Sequence, residues 1–271
     1  MASAVRIPAV AGRFYPGRAE ELRRQVHEYT VGDDSAPVSA IGCVAPHAGY
    51  MYSGHVAGAV YARLEIPQHC VVLCPNHTGM GPPLSIMARS AWQTPLGKVP
   101  PDIDLADALL ERLPALREDS AAHRAEHAIE VQLPFLQARQ SEFSLIPIVI
   151  GTSDFGALRD LGEALAAVIS AQSDKVLLIA SSDMNHYESD TVTRVKDRKA
   201  IDRVLALDAR GLWEVVVNED ISMCGFGPAV AMLTAAKRLG ATSATLVKYA
   251  TSGDVSGDRD EVVGYAGIIV Q

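Results

Sequence analysis

The sequence predicts a layered α/β fold, a single domain with a largely parallel or mixed central sheet flanked by helices. Three observations predict it. Short Val/Ile/Leu-rich runs alternate with longer stretches whose apolar residues recur every three or four positions, the pattern of strands joined by crossover helices. The strand-like runs are mostly not alternating, as expected of strands covered on both faces. No internal repeat, low-complexity segment or linker divides the 271 residues, a length that one α/β domain accommodates.

In chain order, Ala19–Tyr29 reads as an amphipathic helix and Val38–Ala45 as a buried strand. Val56–Leu64 carries a helical period, Cys70–Pro75 and Leu84–Ala88 read as strands, and Leu105–Leu113 and Ala128–Arg139 as helices. Leu145–Ile150 and Val176–Ala180 are further buried strands, separated by the helical stretch Leu158–Ser170. Val192–Leu207 and Ala229–Leu239 are helices, the second with Pro228 at its first position and Gly240 as its stop. Ala244–Tyr249 and Val262–Val270 complete the sheet, and the polar stretch Thr251–Glu261 between them reads as a surface loop.

Composition narrows the function classes. A net charge of −8 repels phosphate backbones and argues against general nucleic-acid binding. Four cysteines at positions 43, 70, 74 and 224 form neither a disulfide framework nor a zinc ribbon. Cys43, Cys70 and Cys74 lie in apolar runs and read as core residues. Met1–Phe14 lacks the basic cap and apolar run of a signal peptide, and no run has the roughly 18 apolar residues of a membrane helix. A reduced, cytoplasmic setting is the expectation.

Chemistry concentrates at the ends of strand-like runs. Ile41–Tyr50 presents His47, Val71–Thr78 presents His77, and Leu177–Tyr187 presents Asp183 and His186. In open α/β sheets ligands bind beyond the carboxyl ends of the strands. If these strands are parallel and adjacent, three imidazoles converge there, and neutral imidazole is the commonest metal ligand. Cys224 lies in the glycine-rich turn Ser222–Pro228, just ahead of a predicted helix, where the helix N-terminus favours a thiolate. Flanking Gly225 and Gly227 allow backbone to approach a metal or substrate closely. Two histidines and one cysteine make a three-ligand site with an open position, suited to copper, zinc or iron rather than magnesium or calcium. Asp183 is expected to orient His186 or to ligate.

Two other patterns compete. His123-Arg-Ala-Glu126-His127 fits the inverted zinc-protease motif, which needs both histidines on one helix face and Glu126 as base. His127 and Glu130 also suit a helix start, where Glu130 would cap or complement the dipole. Gly225-Phe-Gly227 lacks the third glycine and preceding strand of a dinucleotide loop.

The segments APHAGYMYSGHVA (45–57), PNHTG (75–79), EHAIEVQLPFLQ (126–137), IPIVIG (146–151), SSDMNHY (181–187) and MCGFGP (223–228) together resemble the Memo family, called AmmeMemoRadiSam system protein B in bacteria. The resemblance runs in order across nearly the whole chain. It implies a fold similar to the LigB-type extradiol dioxygenases and a metal site of His47, His77 and Cys224. It places Asp183 and His186 in the same pocket, His186 resembling the acid/base histidine of those dioxygenases, with His127 as a further pocket residue. It implies one iron or copper ion rather than zinc. The possible partners it implies are a small-molecule substrate or peptide, a radical-SAM protein and a second small protein of the same system. Ring-cleaving enzymes of this fold use two histidines and a carboxylate, so a cysteine makes a softer, oxidisable set. Thr78 follows His77, where some relatives carry another histidine. The expected function is a metal-dependent redox enzyme. A peptide- or protein-binding module using the same pocket, and a zinc protease, are the alternatives.

Overall fold

A computed structural model describes residues 4–31 and 36–271; residues 1–3, the start of the Met1–Phe14 stretch, lie outside the described residues. The elements run β1 (Val5–Arg6), α1 (Ala19–Thr30), β2 (Gly42–Ala45), α2 (Tyr50–Ala62), β3 (His69–Pro75), β4 (Leu84–Ile86), β5 (Ala91–Thr94), β6 (Gly97–Val99), α3 (Ile103–Arg112) and β7 (Arg117–Glu118). They continue with α4 (Ala121–Arg124), a 3-10 turn (Glu130–Gln132), α5 (Leu133–Arg139), β8 (Ser144–Ile150), α6 (Phe155–Ser170), β9 (Val176–Ser181) and β10 (His186–Glu188). The last are α7 (Asp190–Leu205), α8 (Ala209–Asn218), α9 (Phe226–Arg238), β11 (Ala244–Thr251), α10 (Gly253–Ser256) and β12 (Val262–Val270).

The main sheet is mixed, in the order β10-β12-β2-β9-β3-β8-β4-β7, with β11 on the other edge of β12. Its centre, β2-β9-β3-β8, is parallel throughout; β12 and β4 flank it antiparallel. A small second sheet has the order β1-β5-β6. Alternate residues of each central strand feed opposite cores, because side chains leave a strand on alternating faces. Val71, Leu73, Leu178 and Ala180 meet α3, α6, α7, α8 and α9 on one face. Cys70, Val72, Leu177 and Ile179 meet α1, α2, α5 and the small sheet on the other. Cys43, Cys70 and Cys74 are buried core residues as expected, and burial pushes the Cys43 thiol up to about 12. Among the described residues, no helix is long and apolar enough to cross a membrane.

The differences from expectation have local causes. The strand expected from Val38 begins at Gly42; Val38 makes only an isolated bridge to Leu64. Helix α2 starts six residues earlier than its apolar period suggested, running through Gly54, which lies against Tyr29. A Cβ on Gly54 would stand 2.5 Å from the Tyr29 ring. The expected helix Ala128–Arg139 splits into a 3-10 turn and α5 because Glu130 does not cap a helix. It is fully buried and takes hydrogen bonds from Ala9 N, Val10 N and Tyr15 Oη while pairing with Arg6. Helix α9 starts at Phe226, so Pro228 is its third residue rather than its first, still where no intrahelical N–H is needed. Gly240 does end it, at φ +94°. The Thr251–Glu261 stretch is less loop-like than expected: Thr251 ends β11, buried, and Gly253–Ser256 makes a helical turn. Helix α8 was not foreseen; Asp208 caps it and Leu212 and Val216 anchor it.

Candidate metal centre

Strands β2, β9 and β3 are adjacent and parallel, so the loops that follow them leave from one rim. His47, Asp183 and His77 sit on those loops, and His186 opens β10 just beyond Asp183. Cys224 arrives from the turn before α9, where Gly225 N donates to Ser182 Oγ at 3.1 Å. A Cβ on Gly225 would lie 2.4 Å from Ser181 O, so only glycine lets this turn press against the end of β9. One ligand atom each from His47, His77 and Cys224 lie within 4.8 Å of one another. His47 Nε2 and Cys224 Sγ are 3.2 Å apart.

Surrounding groups fix which nitrogen of each imidazole carries the proton. Ser181 Oγ donates its single proton to Ala128 O at 2.7 Å and accepts from Gln132 Nε2 at 2.8 Å. It can therefore only accept from His47 Nδ1, 2.9 Å away, and His47 Nε2 is left as a lone pair facing Cys224. His77 Nδ1 donates to Glu126 Oε1 at 2.9 Å and His77 N to Glu126 Oε2 at 2.7 Å. In the neutral ring its Nε2 is then the lone pair. Glu126 also accepts from His127 N and Ala128 N, at 2.8 and 3.0 Å. A carboxylate, carbonyl or water on the far nitrogen is the usual means of orienting metal-binding histidines; Glu126 fills that role for His77, and the Ser181 hydroxyl stands in it for His47.

Charge follows from burial and these contacts. His47 is 2% exposed, and burial holds its imidazole well below the ordinary range, with His77, His127 and His186 adding to the effect. Burial acts against a proton on His77 too, but the Glu126 hydrogen bond and charge outweigh it and raise His77. For Glu126, burial favours the acid; the His77 contacts and the N–H donors prevail and lower it. The Cys224 thiol is pushed well above its usual value, by burial first and then by Asp183. The helix N-terminus therefore does not make Cys224 a free thiolate, contrary to the sequence expectation; desolvation wins. Burial also lifts the Asp183 carboxyl to about 7, against the pull of the His47 and Ala48 amides.

Five of the sequence candidates, His47, His77, His127, Asp183 and Cys224, touch one another, and His186 lies beside them through Ser222, with two corrected roles. Asp183 does not orient His186: its carboxylate accepts from His47 N at 2.7 Å. His186 is oriented by Ser222, whose carbonyl accepts from His186 Nδ1 at 2.9 Å. His127 stacks on His77 with ring centroids 4.7 Å apart and lies 5.5 Å from His47. The protease pattern is not assembled. His123 is fully buried with both ring nitrogens against carbonyls, of Asp119 and Pro147. Glu126 is occupied by four N–H donors, so it is neither a free base nor a good ligand in the cluster it forms with His77 and His127. Sequence reasoning missed Glu126 as the His77 partner, along with Ser181, Gln132, Asn185 and Ser222. The EHAIE segment did flag the first of these, in a different role.

Comparison with known proteins bears on the whole chain. The family model described as Memo-like protein matches residues 6–269. A MEMO1 family protein of Methanosarcina mazei is 46% identical over 268 residues, covering 98% of this chain and 99% of the relative. One from Methanopyrus kandleri is 45% identical over 277 residues, covering 97% and 98%. The crystal structure of the uncharacterized protein JW3007 from Escherichia coli K12 shares the fold at a TM-score of 0.57 and 15% identity, covering 84% of this chain and 98% of that one. With a family model spanning nearly every residue and relatives this similar end to end, the chain belongs to the Memo family.

Proposed function

We propose that the chain holds one redox-active transition-metal ion, iron or copper, between His47 Nε2, His77 Nε2 and Cys224 Sγ, and acts as an oxidoreductase on a small organic substrate. The observation that carries this reading is the proton placement on the two imidazoles. Ser181 and Glu126 each occupy Nδ1, so both Nε2 lone pairs are available beside a thiol. The donor set fits such an ion: two neutral imidazoles and a sulfur disfavour magnesium and calcium and suit copper, iron or zinc. A tetrahedral ion at ordinary bond lengths would hold its N and S donors about 3.5 Å apart, close to the 3.2 Å between His47 Nε2 and Cys224 Sγ.

When bound, the ion would supply electron transfer and Lewis acidity at the position that three protein donors leave open. The chain's own residues do the rest. His186 gives its Nδ1 proton to Ser222 O, so its Nε2 is a lone pair with no protein partner among the described residues. Burial keeps its pKa below the ordinary imidazole value, although the Ser222 and Met184 backbone contacts oppose this. A neutral imidazole with one free nitrogen can accept a proton from a substrate and later return it. The raised Cys224 thiol means that ligation releases a proton, which makes ion affinity rise with pH.

The test is metal content by mass spectrometry after purification without chelator. About one equivalent is expected in the wild type, with loss in His47→Ala, His77→Ala and Cys224→Ser. Unchanged metal in all three variants overturns the reading. Oxygen consumption lost in His186→Ala, with metal retained, is the expected result for the acid/base role.

A further inference from the structure

We propose that Asn185 and Ser222 form a clasp that places Cys224 and His186 together, making Asn185 a positioning residue of the metal centre; the inference rests on the reading of that centre given above. The two segments reach the site from different directions. Asn185 and His186 follow β9, whereas Ser222 and Cys224 lie on the connection from α8 to α9. Side chains carry most of the join. Asn185 Oδ1 accepts from Ser222 N at 3.1 Å and from Ser222 Oγ at 3.0 Å. Ser222 Oγ in turn accepts from His186 N at 2.7 Å, and Ser222 O takes the His186 Nδ1 proton at 2.9 Å.

Asn185 can hold this position because it is itself immobilised. It is fully buried, its N–H donates to Asp197 Oδ1 at 2.8 Å, and its Nδ2 donates to Glu188 Oε2 at 2.7 Å and to Thr193 Oγ1 at 3.3 Å. The amide thus uses two acceptor and two donor positions, its full capacity. Turning it over would set an NH2 group against the Ser222 N–H and the carbonyl against the Glu188 carboxylate. An aspartate would face Glu188 with like charge, and an apolar residue would strand the Ser222 amide. The chemistry at this position demands a carboxamide, one residue from His186 and holding a residue two away from Cys224. One side chain therefore sets both the thiol ligand and the tautomer of the acid/base imidazole. A buried amide that served stability alone would affect neither separately from folding.

Cobalt(II) is the probe, since its thiolate charge-transfer band reports Cys224 ligation. Ring nitrogen NMR shifts of His186 in the metal-free protein report its tautomer. Asn185→Ala is expected to bind cobalt about ten- to hundredfold more weakly, to lose intensity in the thiolate band, and to show His186 in mixed tautomers. Ser222→Ala should act in the same direction, while Ser222→Thr, which keeps the hydroxyl at an exposed position, should restore the wild-type readings. Ile201→Ala, on the buried face of α7, lowers the melting temperature as a control and should change none of them. Wild-type cobalt affinity, band and tautomer in folded Asn185→Ala, or in Ser222→Ala should the first variant not fold, overturns the clasp. So does an Ile201→Ala control that reproduces the losses. A wild-type protein without any thiolate band sinks the metal reading instead, and the His186 tautomer then decides the clasp alone.

Discussion

Gly225→Ala isolates the placement of the Cys224 sulfur from its chemistry. Gly225 has φ −97° and ψ 25°, which alanine adopts without strain, so the perturbation is steric. The new Cβ would meet Ser181 O and Ser182 Cβ at 2.4 Å and Ser182 Oγ at 2.6 Å, against ordinary contacts from 3.4 Å upward. Ser181 ends β9 and the Ser182 side chain is buried directly after it, so neither has room to yield and the turn must retreat by about 1 Å. Cys224 moves with its neighbour, taking its sulfur from 3.2 Å to about 4 Å from His47 Nε2. Metal sites tolerate ligand displacements of only about 0.2 Å. Overpacking of this kind costs about 1–3 kcal/mol, lowering the melting temperature by several degrees without unfolding the chain. The assay pairs bound metal by mass spectrometry with circular dichroism. A folded Gly225→Ala protein with most of its metal gone is the expected outcome; one that retains a full equivalent and the cobalt–thiolate band refutes the geometry.

Glu126→Gln sets an amide among the N–H groups of His77, His127 and Ala128; metal affinity, measured by chelator competition, should fall about ten- to hundredfold. Arg6→Met strands the buried Glu130 carboxylate, and breaking such a pair costs about 3–5 kcal/mol, readable in urea unfolding. Burial lifts the Asp197 carboxyl to about 7, despite hydrogen bonds from Tyr249 and Asn185. The folded state then holds a proton that the unfolded chain releases near pH 4, so this group costs stability progressively as pH rises from 4 to 7 and fully above 7. A shift of about three units corresponds to roughly 4 kcal/mol at most. Asp197→Asn should accordingly flatten the fall in unfolding free energy between pH 4 and 7, and an unchanged slope would contradict this assignment.

Much of the architecture was legible because the central strands are buried on both faces. The continuous apolar runs of β3, β8 and β9 could hardly belong to anything else, and a histidine just past β2 and another past β3 stood out for that reason. Cys224 was legible through the glycines beside it. What could not be read was the layer behind the ligands. Glu126 reaches His77 from a loop whose path is set by Arg6, which donates to the carbonyls of His123 and Glu126 and lies over the Trp92 ring. Nothing local to EHAIE reveals a partner 120 residues away. The proton on His47 is decided by Ser181, Gln132 and Ala128, drawn from two separate segments. Asp183 and His186 share a helix-like spacing of three, but the chain between them is extended and irregular, so they face different partners.

X-ray absorption at the edge of the metal retained by the purified protein tests the central claim most directly. One sulfur at about 2.3 Å with nitrogen donors at about 2.0 Å, the sulfur shell vanishing in Cys224→Ser, is the expected spectrum. A first shell of nitrogen and oxygen alone, identical in wild type and Cys224→Ser, would contradict it.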